Sequence, residues 1–257
     1  MAIPHPSTDN RELAGQVALV TGGAKNIGRA ISLALAAAGA AVAVNTLGSR
    51  EDAEALVNEI RAAGGTADVF LADIADAAAV RAMGDAVIKR FGKIDILVLN
   101  ASQRREILFK DMTFEDWRNT MSITLDGSFH CIKACLPSML EQKSGNIITL
   151  GGDAVLLGGN RKSHNTTAKN GLVGLTRALS KELADDGIRV NCVSPGSFNT
   201  SRPAHRSARS DPKGKIPLGR RGEPEEIAAV VRFLCGPGGA YITGQILHVN
   251  GGAFSFA

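Results

Sequence analysis

The sequence predicts an α/β fold in which one doubly wound parallel sheet carries helices on both faces. Three observations predict it. Short apolar runs alternate along the whole chain with longer segments whose apolar residues recur at helical spacing. Glycines stand at the junctions between them. Aromatic residues make up only 4% of the 257 residues, while hydrophobic residues reach 44% and glycines number 29. Small aliphatic side chains suit helices packed closely on a sheet that is buried on both faces.

The elements follow in order. Gln16 to Val20 is a short apolar strand, and a glycine-containing turn leads from it into a helix over Ile27 to Ala38, stopped by Gly39. Ala41 to Val44 is the next strand. Glu51 to Ala63 is helical, with Ala53, Leu56, Val57 and Ile60 on one face, and Gly64 and Gly65 end it. Asp68 to Leu71 is a strand, Ala78 to Phe91 a helix, and Ile94 to Leu99 a strand that is apolar except for Asp95. The alternation then repeats. Phe114 to Leu140 reads as one long helix bent near Pro137, Asn146 to Leu150 as a strand, and Thr166 to Ala184 as a helix. Arg189 to Val193 is a strand, Pro224 to Leu234 a helix and Ile246 to Val249 a last strand. Strands alternating with helices imply right-handed crossovers and a single sheet. No repeat or linker divides the chain, so residues 12–257 read as one domain behind a flexible tail, residues 1–11.

Composition excludes several classes of function. A net charge of +4 is too mild for a nucleic-acid binder. No run of about twenty apolar residues is present to span a membrane. Met1 to Asn10 is polar, holds two prolines and lacks the layout of a signal peptide, which points to the cytoplasm. Cys131 and Cys135 share a helix face beside His130, but no second ligand pair follows. Those two, with Cys192 and Cys235, read as core thiols of a reducing compartment rather than as a metal site.

The segment Thr21-Gly22-Gly23-Ala24-Lys25-Asn26-Ile27-Gly28 lies between the first strand and the first helix. A turn there presents backbone N–H groups and the positive end of a helix to a pyrophosphate, and its glycines let the ligand approach the backbone. A glycine-rich turn without a ligand is the plainer reading, and the placement in the first βα turn favours the phosphate site. The fold is therefore expected to be of Rossmann type.

The stretch resembles the TGxxxGxG pattern of the short-chain dehydrogenase/reductase family. Asn26 stands at the middle glycine, and Asn is among the residues best able to adopt a left-handed backbone. Further matches extend from about Leu13 to Ala253. Asp73-Ile74 resembles the family pair beside the adenine, and Leu99-Asn100-Ala101-Ser102 resembles NNAG. Pro195-Gly196 through Phe198 to Thr200 resembles the segment beside the nicotinamide. Pro217 to Arg220, Gly222 to Ile227 and Tyr241 to Gly252 resemble stretches common in the 3-oxoacyl-acyl-carrier-protein reductases of that family.

The resemblance implies a dinucleotide cofactor held by Gly22, Lys25, Asn26, Ile27, Gly28, Asp73, Ile74, Asn100, Ala101, Lys169, Pro195, Gly196, Phe198 and Thr200. The second strand and its turn, Val42 to Arg50, contain no carboxylate, which an NAD site uses for the ribose hydroxyls. Lys25 and Arg50 offer charge, and Thr46 and Ser49 offer hydroxyl donors, to a 2′-phosphate. The expectation is NADP(H). The alternative is that Lys25 and Arg50 are solvated surface charges.

In the family a Tyr in a Tyr-x-x-x-Lys helix donates the proton, its Lys binds the nicotinamide ribose, a Ser holds the carbonyl oxygen and an Asn supports a water relay. Here Lys169 is kept, but Asn165 takes the Tyr position, Gly152 the Ser position and Thr124 the Asn position. The single tyrosine, Tyr241, lies elsewhere, and the upstream position used by enoyl reductases is Lys162. An amide is no general acid near neutral pH. Losing a positioned acid typically costs ~10²–10⁴ in rate.

His164 is a replacement acid by its chemistry, although a solvated loop histidine before the helix is the plainer reading and weighs more. Asp153 follows the glycine pair. Its combination with Ser163 and His164 as a hydrolase site carries little weight, because adjacent Ser and His side chains rarely face one another. Arg104 and Arg105, with Arg202, His205, Arg206, Arg209, Lys213 and Lys215, either receive an anionic or carrier-linked small-molecule substrate or form a solvated loop.

The first expectation is thus an NADP(H)-dependent oxidoreductase acting on a carbonyl or alcohol, with a modified proton-transfer site. The others are a cofactor-holding pseudoenzyme, and a lyase or isomerase using the same pocket. The resemblance also implies a homotetramer.

Overall fold

The computed structural model describes residues 11–103, 105–201 and 212–254. Seven strands form one sheet: β1 (Val17–Val20), β2 (Ala41–Thr46), β3 (Thr66–Leu71), β4 (Ile96–Leu99), β5 (Gly145–Leu150), β6 (Ile188–Pro195) and β7 (Ile246–Val249). They lie in the order β3-β2-β1-β4-β5-β6-β7, and every neighbouring pair is parallel. The order reverses between β1 and β4. That switch opens a crevice at the carboxyl ends of the strands, where open α/β sheets bind their ligands.

The helices are α1 (Asn26–Ala37), α2 (Arg50–Ala62), α3 (Ala77–Phe91), α4 (Phe114–Met121), α5 (Gly127–Gln142), α6 (Ala154–Leu157), α7 (Ser163–Glu182) and α8 (Pro224–Cys235). Continuous apolar strands have two faces to fill. Ala18, Val20, Ile96 and Val98 pack with Ile31 and Leu35 of α1 and Ile227 and Val231 of α8. Their chain neighbours Leu19, Leu97 and Leu99 pack on the other face with Met83 and Val87 of α3 and Met139 of α5. Alternation along each strand therefore feeds two separate cores.

Among the differences from the sequence reading, three bear on the core and the site. The expected strand over Ile94 to Leu99 begins at Ile96. Ahead of it, the carboxylate of Asp95 accepts from the Val17 N–H at 2.7 Å and from Lys93 Nζ at 3.0 Å. The expected long helix is broken not at Pro137, which lies within α5, but by a π-helical turn over Ser122–Asp126. Finally, α7 starts at Ser163, three residues before the expected start, and this draws His164 into the helix and out of solvent.

All four cysteines are free and buried. Burial pushes the Cys131 and Cys235 thiols up to about 12, which disfavours the thiolate a metal would need. The flexible tail was expected at residues 1–11; residues 1–10 lie outside the described residues, and Arg11 sits in a turn.

Candidate active site

The segment from Thr21 to Gly28 leaves β1 and enters α1 at the switch point. Lys25 is the N-cap of α1 and supplies no side-chain cap, so its side chain leaves the first-turn N–H groups to a ligand. Gly28 is required by contact: a Cβ there would lie 2.1 Å from the Gly22 carbonyl oxygen and 2.6 Å from Asn100 Nδ2. Asn26 has φ 51°, the left-handed conformation anticipated for it. Its Oδ1 accepts from the Ser201 N–H at 2.6 Å and the Ser201 hydroxyl at 2.9 Å, which ties the loop to the segment following β6. A glycine could do neither.

Asn100 braces the same loop from the end of β4. Its Nδ2 donates to the carbonyls of Thr21 at 3.0 Å and Gly22 at 2.9 Å. In return, Thr21 Oγ1 accepts from the N–H groups of Asn100 and Ala101 at 3.0 and 3.1 Å. Two adjoining βα turns are thereby locked as one platform.

A cavity of about 470 Å³ runs along this platform. It gathers Gly22, Lys25, Asn26, Ile27, Asp73, Ile74, Asn100, Ala101 and Thr200, all of them anticipated. It also takes in Asn45, Leu47, Ala72, Ser102, Ile123 and Ser201, which the sequence reading did not single out. Asn45 had a usable signal, since it stands at the end of the second strand where an acidic residue was sought. Its Nδ2 donates to the carbonyls of Phe70 and Ala72 at 3.2 Å each. A neutral amide there creates no repulsion toward a phosphate.

Other anticipated residues do not line this cavity. Thr46 is buried, and its hydroxyl accepts from the Ser49 N–H at 3.3 Å. Arg50 pairs with Glu54 at 3.3 Å along α2, whereas Lys25, which does line the cavity, pairs with Asp52 at 2.9 Å. Gly28 lies beneath the loop. Pro195 ends β6, Gly196 follows it, and the buried Phe198 packs against Gly222.

The four positions of the expected catalytic set fall on α7, in the π-helical turn and just after β5. Lys169, on α7, is buried, and its Nζ donates to the Leu150 carbonyl at 2.5 Å. One turn earlier, Asn165 Nδ2 donates to the Gln103 carbonyl at 3.0 Å, so the amide bridges α7 to the loop after β4. Thr124 lies in the π-helical turn, fully buried, with its hydroxyl unpartnered. Its carbonyl accepts from Ser128 Oγ at 2.7 Å. Gly152 has φ 156°, and an added Cβ would meet only the Pro195 carbonyl oxygen, at 3.9 Å. Room for a side chain exists there, and the backbone angle is what favours glycine.

The favoured reading of His164 as a solvated loop residue is overturned. The ring is 0% exposed, and neither nitrogen has a hydrogen-bond partner of good geometry. Burial pushes its pKa down, against the pull of the Arg105 backbone and the Asp116 carboxylate. A buried, neutral imidazole is a poor proton donor. Arg105 is paired with Asp116 at 2.5 Å, and Lys213 and Lys215 are exposed. Arg104, Arg202, His205, Arg206 and Arg209 lie outside the described residues.

Asp153 ends the short segment between β5 and α6, where it is the N-cap residue of α6. Its N–H donates to the Pro195 carbonyl at 3.1 Å. One carboxyl oxygen, Oδ1, is buried without a partner. Burial pushes this carboxyl up to about 6, and a hydrogen bond with Asn250 opposes the rise.

A family model described as enoyl-(acyl carrier protein) reductase matches residues 22–253. The 3-oxoacyl-[acyl-carrier-protein] reductase of Synechocystis sp. is 42% identical over 245 residues, which is 95% of this chain and 99% of that protein. The chain belongs to the short-chain dehydrogenase/reductase family. Within that family, the 3-oxoacyl-[acyl-carrier-protein] reductase FabG of Thermotoga maritima is 34% identical over 93% of this chain and 98% of its own. A crystal structure of a dehydrogenase/reductase from Sinorhizobium meliloti superposes with a TM-score of 0.89 at 35% identity, covering 96% of this chain and 98% of that one. A short chain dehydrogenase from Burkholderia cenocepacia, in complex with NADP, gives 0.87 at 35% identity over 94% and 99%.

Proposed function

We propose that residues 12–257 form an NADP(H)-dependent oxidoreductase of this family, acting on a carbonyl or alcohol substrate through an altered proton-transfer site. The observation that carries the reading is the platform made by Gly22, Asn26, Gly28 and Asn100 beside an uncapped helix N-terminus. It fits a pyrophosphate, and the cavity extends from it past Asp73 and Ile74 toward Thr200. The NADP complex of the Burkholderia relative supports the same cofactor. Gly22, Asn26, Ile27 and Gly28 would hold the pyrophosphate, Asp73 and Ile74 the adenine, and Lys169 the nicotinamide ribose. When bound, the cofactor supplies or accepts the reducing equivalent of a carbonyl/alcohol interconversion.

The 2′-phosphate preference rests on Asn45 and Lys25. Lys25 is paired with Asp52, but both partners are about half exposed, and such pairs are easily exchanged. A phosphate with two or more acceptor oxygens competes well for the ammonium. NADPH should therefore bind more tightly than NADH in a fluorescence titration. Lys25→Ala should reduce that preference, and Asp52→Asn, by releasing Lys25, should increase it. Equal affinity for the two nucleotides would remove this part of the reading.

The substrate class suggested by the relatives' names is a 3-oxoacyl thioester. The test is NADPH consumption with acetoacetyl-CoA and with a panel of plain ketones. A second reading, a cofactor-holding protein without turnover, is favoured by one observation: no hydroxyl or phenol stands at 152 or 165. Tight NADPH binding with no consumption on any carbonyl would select it. Exposed aromatic residues on α4, α5 and α8, namely Phe114, Phe129 and Phe233, are consistent with faces that pair with further copies of the chain, as the homotetramer implied by the resemblance requires.

A further inference from the structure

The altered site lacks a phenol, and His164 is sealed away from it. One other titratable side chain stands at the end of β5. Asp153 directly follows Gly152, where the missing side chain leaves open space: an added Cβ would find nothing nearer than 3.9 Å. The Asp153 carboxyl reaches across the end of β6, because a Cβ on Gly196 would lie 2.9 Å from its Oδ2. Asn250, just beyond β7, borders the same spot, since that Cβ would also lie 2.7 Å from Asn250 Cβ. The other oxygen, Oδ1, is buried and has no partner. A half-buried carboxyl with one unsatisfied oxygen, next to a position that has room for a side chain and carries none, is costly to maintain for structure alone.

We propose that Asp153 is the proton-exchanging residue of this site, taking the part that a phenol at position 165 would otherwise have. The inference rests on the oxidoreductase reading above. In the reducing direction the Asp153 O–H bond breaks, and its proton goes to the substrate carbonyl oxygen. The carbonyl carbon gains its hydrogen, with the electron pair, from reduced nicotinamide, which is oxidised. The product is the alcohol, and the Asp153 carboxylate recovers a proton from water. In the oxidising direction the carboxylate takes the hydroxyl proton. Asn165, fixed to the Gln103 carbonyl, has an amide oxygen and no proton to give, so it is a positioning residue at most.

The surroundings suit the role. Burial raises the carboxyl toward neutrality, and the Asn250 amide opposes it. Gly196 and the Pro195 carbonyl bring no titratable group, and no charged side chain contributes to the ionisation of Asp153. A group that titrates at about 6 is available in both forms close to neutral pH.

Two readouts on the full chain test the proposal. The first is ¹³C NMR of protein labelled at the Asp carboxyl carbon, comparing the parent with Asp153→Asn to assign the resonance. The Asp153 resonance should titrate near neutrality and should move when NADP⁺ and acetoacetyl-CoA are added together. The second is the pH profile of NADPH oxidation with acetoacetyl-CoA. The parent kcat should fall about tenfold per pH unit on the alkaline side. Asp153→Asn should lower kcat by ~10²–10⁴-fold and lose that limb, while NADPH affinity stays within a factor of about two. An Asp153→Asn protein with the parent's kcat and profile overturns the proposal. So does a resonance that ignores both ligands. If the parent consumes no NADPH but the resonance moves, the oxidoreductase reading fails while the placement of Asp153 at the reacting centre stands.

Discussion

At Gly28 a single methyl group decides the phosphate loop. A Cβ 2.1 Å from the Gly22 carbonyl oxygen cannot be accommodated without moving the backbone, and Asn100 on the other side is held by two hydrogen bonds of its own. Gly28→Ala should therefore weaken NADPH by at least ~10-fold, read by fluorescence titration, since the loop must shift away from the ligand. Unchanged affinity would mean that the loop is softer than this bracing implies. The left-handed backbone of Asn26 was legible in the sequence, because backbone conformation depends on residue type within a few positions, whereas the contact of Gly28 with Gly22 and Asn100 was not. Nor was the latch from Asn26 to Ser201, because it joins residues far apart in the chain. His164 and Asp153 were misjudged or underweighted for a similar reason: burial belongs to the tertiary structure, and polar residues near a loop read as solvated. Their titrations have opposite consequences. Asp153 is raised from 3.8 to about 6, so the folded protein binds more protons than the unfolded chain between those values. Stability should fall as pH rises through that window, and Asp153→Asn should remove that component. His164 is lowered from 6.5, so the unfolded chain binds the extra proton. Its contribution is present above that value and is lost as pH falls, and His164→Gln should flatten the acid-side decline. Thermal midpoints of the three proteins across pH check both signs.

The strands were the most legible elements, and the paired cores explain why. Leu97 sits at 0% exposure on the face toward α3 and α5, with Ile96 and Val98 facing α1 and α8. Such strands must be apolar at every position, and the sequence shows it. Leu97→Ala should cost about 2–5 kcal/mol in denaturant unfolding, by lost transfer energy and the cavity left behind. Leu47, 65% exposed at the mouth of the cofactor cavity, should change stability little when replaced by Ala. Comparable losses at both positions would contradict the layered core. Helix interruptions were harder to read. The π-helical turn at Ser122–Asp126 carries no local breaker, whereas Pro137 does and yet lies inside α5. Here a proline inside a helix does not end it, and the π-helical turn at Ser122–Asp126 carries no residue that marks it locally. The early start of α7 has the same origin: Ser163 to Thr166 offers no strong capping signal, and Lys162 caps nothing with its side chain.

On the scale of the whole molecule, the single parallel sheet with helices on both faces was foreseeable from the alternation of elements and from motifs, because one fold serves the whole family. The proposed chemistry rests on a few side chains, those at 124, 152, 153, 165 and 169. The backbone that would present a restored set is intact, with Lys169 buried on α7 and Thr124 in its π-helical turn. Thr124→Asn, Gly152→Ser and Asn165→Tyr together should raise NADPH consumption with plain ketones above the parent, once folding and NADPH binding are confirmed. The gain is limited by Gly152, whose φ of 156° is costly for serine, on the order of 1–3 kcal/mol. A folded, cofactor-bound triple variant no better than the parent would mean that the pocket itself has changed purpose. The most direct measurement is simpler. Purified parent protein is mixed with NADPH and acetoacetyl-CoA, the nicotinamide absorbance is followed, and the organic product is analysed. An NADP(H)-dependent oxidoreductase with an altered proton donor should lose absorbance slowly, with one 3-hydroxyacyl product formed per NADPH consumed. Bound NADPH whose absorbance stays constant with this and every other carbonyl offered would contradict the account.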